Sequence, residues 1–566
     1  MPPAPFNLLH ERWIPVALAN GQRAFVRPCD ISELHEGQAI LRVATGRPDC
    51  DISLTEFLIG LLAVTFPPES NRDWVKRHRT PPKRMELEQA FAILELAMRL
   101  DGEGPRFFQD IDPFEQTTPI NKLKRTEQLF VDGPGDNAIE ENADHFVKRA
   151  TIGTLSRAGA AIALVTIQTM SPAGGPGKLT SVRGGGPLTT LVVPSLANGD
   201  STLWNLLWAN VPADYRVGSD DIIRVFPWLT ATRQGAKGGI KTTPDDVHVA
   251  QVFFGLPRRL RLIFHSNSEG RCCDVLNLHD DIVVQAFADR AKGTDYDAWD
   301  RRHPLSPYYK PKKNEPQFIP VHLQSSRVGY QNYLGMILKN DKNDGLPARC
   351  VADFYTRAQE FDGDEKRAAM NSRLLAAGYA MDNMKPLDFG EALMPLIVTG
   401  DPQCDGQVHV FAEEFVKAAD LVANQLTNAI KRGLFGENAK ADRDSTVLDA
   451  VRQRFWADTE RDFYAALRAA ARTLIDHKDD LGERVSVLRQ ANGQPWLVAI
   501  RRAALAIFDD TVPIEDAESS KIKDVIEARK MLLFALTGFG PVGAQVFGAL
   551  GLPAVETKAK KGRKAA

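Results

Sequence analysis

The sequence predicts an α+β protein: a large mixed α/β N-terminal domain over residues 1–395, a C-terminal four-helix bundle over 396–551, and a basic, disordered tail over 552–566. Three observations predict it. Before about residue 395, short β-branched runs alternate with glycine-rich turns and with stretches of helical spacing. Beyond it, glycines and strand formers thin out and long amphipathic stripes take over. The chain has 566 residues, well past the roughly 250–300 at which one hydrophobic core stops growing.

Composition narrows the function classes. Hydrophobic residues make up 43% and charged residues 25%, an ordinary globular balance. The net charge is −2, so any contact with nucleic acid needs clustered positive charge. The six cysteines are scattered, with only Cys272 and Cys273 adjacent, which excludes a disulfide framework and suits a reducing cytosol. Met1-Pro-Pro-Ala-Pro5 has neither the charged region nor the apolar core of a secretory signal. No run of about 18 apolar residues is present, so no membrane span is expected, and the expected location is cytoplasmic. No internal repeat recurs at a fixed period.

Taken in order, residues 6–16 read as a short strand, a turn and a second strand, with Trp13 and Ile14 in the core. Residues 54–66 and 85–100 have helical spacing. Between them, Lys76, Arg77, His78, Arg79, Lys83 and Arg84 read as a solvated helix face. Gly133-Pro-Gly135 is a strong turn signal. Phe130 beside it is either a stacking platform or an anchor in the local core.

Residues 159–191 are the most distinctive stretch. An apolar run, 159–170, enters as a strand, and a second, 187–191, leaves as another. Between them lie Gly174, Gly175, Pro176, Gly177 and Lys178, followed by Arg183 and three more glycines. Such a loop exposes backbone N–H groups that can form anion-binding concavities. Three readings compete: a phosphate loop, a plain surface loop, or a nucleic-acid contact. The phosphate loop fails on mechanics, because Pro172 stands where its first glycine belongs and Leu179 where its hydroxyl belongs.

Further on, Lys237–Lys241 forms another small basic loop, and residues 253–264 resemble a strand with arginines on alternate positions and one face wet. Cys272, Cys273 and His279 invite zinc, but the paired spacing of a structural site is missing, so no metal and no cofactor are expected. Residues 290–313 interleave Arg290, Lys292, Arg301, Arg302, His303, Lys310, Lys312 and Lys313 with Trp299, Tyr308 and Tyr309. That mixture suits a nucleic-acid groove, cations for phosphates and rings for bases, or a solvated proline-punctuated loop. Residues 327–336 read only as a polar, ordered turn. Four stripes then follow: 411–429 closed by Gly433, one from Ser445 to Leu474, one through Trp496 to Phe508, and one from Ile522 to Leu536 ended by Gly538.

Several of these pieces occur together, in this order, in one family. The chain resembles the CasA family, large subunits of the type I-E Cascade complex of CRISPR immunity. The resemblance rests on Asn7-Leu-Leu with Trp13-Ile-Pro-Val16, Arg77-His-Arg79, Phe108-Gln109, Phe130-Val131 with Gly133-Pro-Gly135, the glycine loop running into Arg183-Gly-Gly-Gly-Pro-Leu-Thr-Thr190, Gly329-Tyr330, and Met381-Asp-Asn-Met-Lys385. It spans nearly the whole chain.

The resemblance implies a non-enzymatic protein. It would find the protospacer-adjacent motif in target double-stranded DNA, start strand separation, and recruit the helicase-nuclease. Its other partners would be the guide RNA and the remaining Cascade subunits, with no membrane involved. The loop Gly174–Lys178 would lie in the minor groove, and Lys292 falls on a lysine reaching into the same groove. Asn332, Tyr333, Leu334 and Gly335 fall on the wedge, and Phe130 on the loop that contacts the 5′ handle of the guide RNA. The family's wedge residue is a glutamine, replaced here by Leu334, and Pro176 removes one donor N–H from the loop. The rival reading is a nucleotide- or metal-dependent nucleic-acid enzyme built on the glycine loop.

Overall fold

The computed structural model describes all residues except 1–4, 144–148, 176, 198, 237, 313–315, 324–327, 341–343, 383, 437–444, 517–520 and 554–566. Expectations for Pro176, Lys237, Lys313 and the tail from 554 onward lie outside the described residues. The chain forms two compact units, Met1–Ser326 with Gly335–Leu393, and Arg327–Leu334 with Met394–Ala566. The short segment Arg327–Leu334 therefore leaves the first unit and belongs with the helices.

The first unit opens on a three-stranded antiparallel sheet, with Ile14–Leu18 between Arg23–Val26 and Ile40–Val43. Trp13 and Ile14 are fully buried, as expected, and the Trp13 indole donates to the Leu8 carbonyl at 2.8 Å. The strand expected before the turn is only a single bridge, Asn7 with Arg99. The helix Pro48–Thr65 begins on its proline, which needs no hydrogen-bond acceptor at that position, and is buried along nearly its whole length. Of the basic stretch, Lys76, Arg77, His78 and Arg79 lie on the helix Asn71–Arg79, capped by the Ser70 hydroxyl. His78 is buried rather than solvated, and Lys83 and Arg84 open the following helix. The next helix, Arg84–Phe91, gives way to a single 3-10 turn at Ala92–Leu94, short of the expected end.

The run entering the glycine loop is not a strand. It is the helix Arg157–Met170. The Ser156 hydroxyl caps it by accepting the Gly159 N–H at 3.1 Å. It is apolar on all sides because it is a core helix, and periodicity alone cannot separate such a run from a buried strand. Close packing fixes Gly159, where a Cβ would lie 2.7 Å from the Cys273 sulfur. The run leaving the loop is a strand, Thr189–Val193, antiparallel to Arg373–Asp382, which also neighbours Lys385–Pro395.

A further sheet pairs Arg259–Ser266 with Ile282–Arg290. The short strands Lys124–Arg125 and Leu155–Ser156 line the other edge of Ile282–Arg290. The expected wet face of Arg259–Ser266 is not wet at its start. Arg259 and Arg261 are 8% and 2% exposed. Their guanidinium groups are paired inside the unit, Arg259 with Asp110 and Arg261 with Glu115.

In the second unit, the helix Pro402–Phe435 packs against Ser445–Asp476, Leu481–Thr511, Ile522–Leu536 and Gly540–Ala549. Asp401 caps the first of these, accepting the Gln403 and Cys404 N–H groups, each at 3.0 Å. Gly433 does not end this helix. It lies inside it, where a Cβ would meet Val512 at 2.8 Å, and the end falls at Gly436 with φ 83°. The last helix, Gly540–Ala549, lies beyond the four stripes that the sequence predicts. Together Ile522–Ala549 is long and apolar enough to cross a membrane by length and composition, against the expectation of no such stretch. Gly538 and Gly540, at φ 83° and 73°, break it into two pieces, each shorter than the roughly 20 residues a span needs.

Candidate nucleic-acid interface

The loop after Met170 is built on a clamp. At the end of the helix, the Gln168 side-chain amide donates to the Arg258 carbonyl at 2.9 Å and to the Phe108 carbonyl at 3.2 Å. Its carbonyl accepts the Arg258 N–H at 3.0 Å. The chain then turns outward, and Ala173, Gly174 and Gly175 are exposed. Gly175 and Gly177 adopt φ 107° and 76°, the left-handed region that glycine enters without strain. The Lys178 N–H donates to the Gly175 carbonyl at 3.1 Å and closes the turn.

Lys292 comes to this loop from the far end of the strand Ile282–Arg290. Its N–H donates to the Gly177 carbonyl at 2.8 Å. Its own φ is 67°, and Gly293 behind it is packed so tightly that a Cβ would lie 1.8 Å from the Pro257 carbonyl oxygen. A Cβ on Gly177 would lie 2.8 Å from the Cβ of Ala291. Glycine at both positions lets the two backbones touch, and the Lys292 side chain is exposed beside the bare turn. Lys178 pairs with Asp289 at 2.9 Å.

Arg183 does not add charge to this surface. It is 4% exposed, and its guanidinium donates to both Glu56 carboxylate oxygens at 2.7 Å. It also donates to the Thr189 hydroxyl at 3.0 Å and to the Ser306 hydroxyl at 2.9 Å. His303 Nε2 lies 3.1 Å from the same carboxylate. The Leu305 N–H donates to His303 Nδ1 at 3.2 Å, which leaves the ring proton on Nε2. Burial, with Arg183 nearby, pushes the His303 imidazole down to about 4. Burial would raise the Glu56 carboxyl, but Arg183 and His303 outweigh it and hold it at about 2.

Of the three rings expected as a platform in 290–313, two are not on the surface, and Tyr309 is half-exposed. Trp299 and Tyr308 are 6% and 4% exposed, and the Trp299 indole donates to the Thr242 carbonyl at 2.8 Å. Several of the cations are occupied too: Arg290 pairs with Asp112, Lys310 with Asp344, and Arg301 lies over the Phe318 ring. Phe130 is a core anchor rather than a free stacking platform. It is 3% exposed, with the Arg47 guanidinium over its ring at 4.8 Å. Cys272 and His279 face each other across a single bridge, and Cys273 is buried. Among the described residues, no group of three or more His, Cys, Asp or Glu side chains is placed to hold a metal ion.

The wedge candidates belong to the second unit, apart from Gly335. Tyr330 and Tyr333 are fully buried there. Tyr330 stacks on Phe463, with ring centroids 4.4 Å apart, and its hydroxyl lies 2.7 Å from the Thr459 hydroxyl. The Tyr333 hydroxyl donates to the Pro395 carbonyl at 3.3 Å. Tyr333 is therefore an anchor and offers no ring for insertion. Asn332 and Leu334, either side of it, are half-exposed, and Gly335 takes φ 92°. The two tyrosines fix the short helical turn that presents Leu334.

Sequence reasoning missed Arg258 and Gln168. One signal was available for the arginine. Adjacent strand residues point to opposite faces, so Arg258 and Arg259 cannot both enter the same core.

The glycine loop is fed by a helix, whereas a phosphate-hydrolysing loop of this kind runs from a strand into a helix. The model of the family CRISPR-associated protein Cse1 matches residues 7–507, and the chain belongs to this family. The fold agrees. Cse1 from Acidimicrobium ferrooxidans is 18% identical with a TM-score of 0.65, covering 96% of this chain and 100% of that one. CasA from Thermus thermophilus is 18% identical with a TM-score of 0.67, covering 95% and 100%. A chain of a CRISPR RNA-guided surveillance complex is 15% identical with a TM-score of 0.65, covering 94% and 100%. No curated protein sequence matches the chain.

Proposed function

We propose that this chain is the non-catalytic large subunit of an RNA-guided surveillance complex, and that it recognises the protospacer-adjacent motif of duplex DNA through the minor groove. The observation that carries the reading is the hydrogen bond from the Lys292 N–H to the Gly177 carbonyl, 2.8 Å, which joins a side-chain-free turn to an exposed cation. The minor groove is about 6 Å wide and shows a degenerate pattern, so bare backbone and one long cation can read it loosely. Loose reading suits a protein that must test many sites.

Leu334 then pries the first base step apart, at a cost of a few kcal/mol. Pairing with the guide RNA nearly balances the DNA pairing lost, as in another RNA-guided effector. Because the Phe130 ring is covered by Arg47, contact with the 5′ handle of the guide falls to the exposed residues 135–137 beside it. The opened duplex is passed to the helicase-nuclease that the subunit recruits.

Lys292→Ala in the assembled complex tests this. Binding of motif-bearing duplex at fixed salt is expected to weaken about tenfold, the worth of one charge-assisted contact. Unchanged affinity would remove Lys292, and the groove reading with it.

A further inference from the structure

We propose that Arg258 is a second DNA-contacting cation of the glycine-loop site, engaging a backbone phosphate of the duplex beside Gly174. The inference rests on the groove-binding reading above and names a residue that reading does not use. Arg258 reaches the loop from beneath. Its guanidinium donates to the Pro172 carbonyl, and a Cβ built on Gly174 would lie 3.3 Å from each of its two terminal nitrogens. The exposed part of the loop thus rests on a guanidinium, with the Lys178 side chain beside it, its Cδ the same 3.3 Å from that Cβ.

What distinguishes this arginine is that it forms no ion pair among the described residues. The arginines that open the strand just after it each have a carboxylate, Asp110 for Arg259 and Glu115 for Arg261. The carboxylate that acts electrostatically on Arg258 is Asp289, which already bonds Lys178 at 2.9 Å. The Arg258 Nε is buried and has no hydrogen-bond partner among the described residues. A guanidinium has five donors in a planar fork suited to phosphate, and leaving a buried donor unmet is unfavourable. Burial pushes the group down to about 10, with Asp289 opposing, so it stays charged at neutral pH.

The neighbourhood therefore holds Lys178, Arg258 and Lys292 against Asp289, an excess that a polyanion would neutralise. The clamp from Gln168 fixes the Arg258 backbone on both its N–H and its carbonyl, so the fork is held in place before any ligand arrives. That is what a preorganised phosphate contact needs.

The test uses the full ribonucleoprotein complex and a duplex carrying the motif, with affinity measured across a range of salt concentrations. Each phosphate contact contributes about 0.9 to the slope of log K against log salt for duplex DNA. Arg258→Gln is expected to weaken binding about tenfold at roughly 0.15 M salt, on the order expected of a charge-assisted bond, and to lower that slope by about 0.9. Arg258→Lys is expected to keep the slope, because it keeps the charge. A merely structural role would lower the melting temperature and leave the slope alone. If Arg258→Gln does not assemble, Arg258→Met, which keeps the stem, is read in the same way.

An unchanged slope in the neutral variant, with Lys292→Ala still weakening binding, would overturn the role of Arg258 and leave the groove reading standing. No effect from either substitution would overturn both.

Discussion

Two arginines flank the glycine-rich stretch, and their surroundings could hardly differ more. Arg183 is sealed inside with Glu56, His303, Thr189 and Ser306, and its two terminal nitrogens donate four hydrogen bonds to a carboxylate and two hydroxyls. Arg258 lies beneath Gly174 with a carbonyl and an unmet nitrogen. The first is complete without a ligand, and its loss acts on folding. The second is incomplete, and its loss acts on binding. Charge near a loop says little until its counter-charge is found.

The sharpest way to break this comparison is to remove Arg183. Arg183→Met leaves Glu56 buried without its cation, beside the His303 ring and the Thr189 hydroxyl, and breaking such a pair costs about 3–5 kcal/mol. Chemical unfolding of the isolated subunit should show a loss of that order, with Arg258→Gln losing far less. Equal losses would erase the distinction.

Acid probes the same network. An unfolded histidine titrates near 6.5, whereas the folded His303 is held down to about 4 by burial and by Arg183. The folded state therefore binds fewer protons between these values. The contribution is fully present above about pH 6.5 and is lost as pH falls toward 4. His78 is depressed to the same value by its own burial, so the whole protein will lose stability in this window. His303→Gln should lessen the slope of unfolding free energy against pH there, and an unaltered slope would mean that His303 does not titrate as its surroundings dictate.

The smallest expected effect is kinetic. Leu334 is half-exposed on a turn held by Tyr330 and Tyr333, so Leu334→Ala should barely change folding. Motif binding should persist while strand opening, followed by a fluorescent base beside the motif, slows several-fold, within the scale of a base-step wedge. Unchanged opening would take Leu334 out of the wedge.

Much of the scaffold is legible in the sequence because it follows local periodicity. The helix within 48–65, the buried Trp13, and the passage to long helices near 395 all follow from spacing. The helix Arg157–Met170 reads as a strand because an apolar run buried on every side has no periodicity to read. The paired arginines escape notice because their carboxylates lie far away in sequence: Glu56 for Arg183, Asp110 for Arg259, Glu115 for Arg261. Burial of Trp299, Tyr308, Phe130 and Tyr333 is equally invisible, since a ring among cations looks the same whether it faces solvent or core. The meeting of the glycine loop with Lys292 comes from family resemblance, and the hydrogen bond between them is its physical counterpart.

The most direct measurement is a density map of the assembled ribonucleoprotein on a motif-bearing duplex. The account predicts the backbone of Gly174 and Gly175 and the side chain of Lys292 in the minor groove at the motif, with the Arg258 guanidinium against an adjacent phosphate. A duplex seated elsewhere, with this loop facing solvent or another subunit, would contradict it.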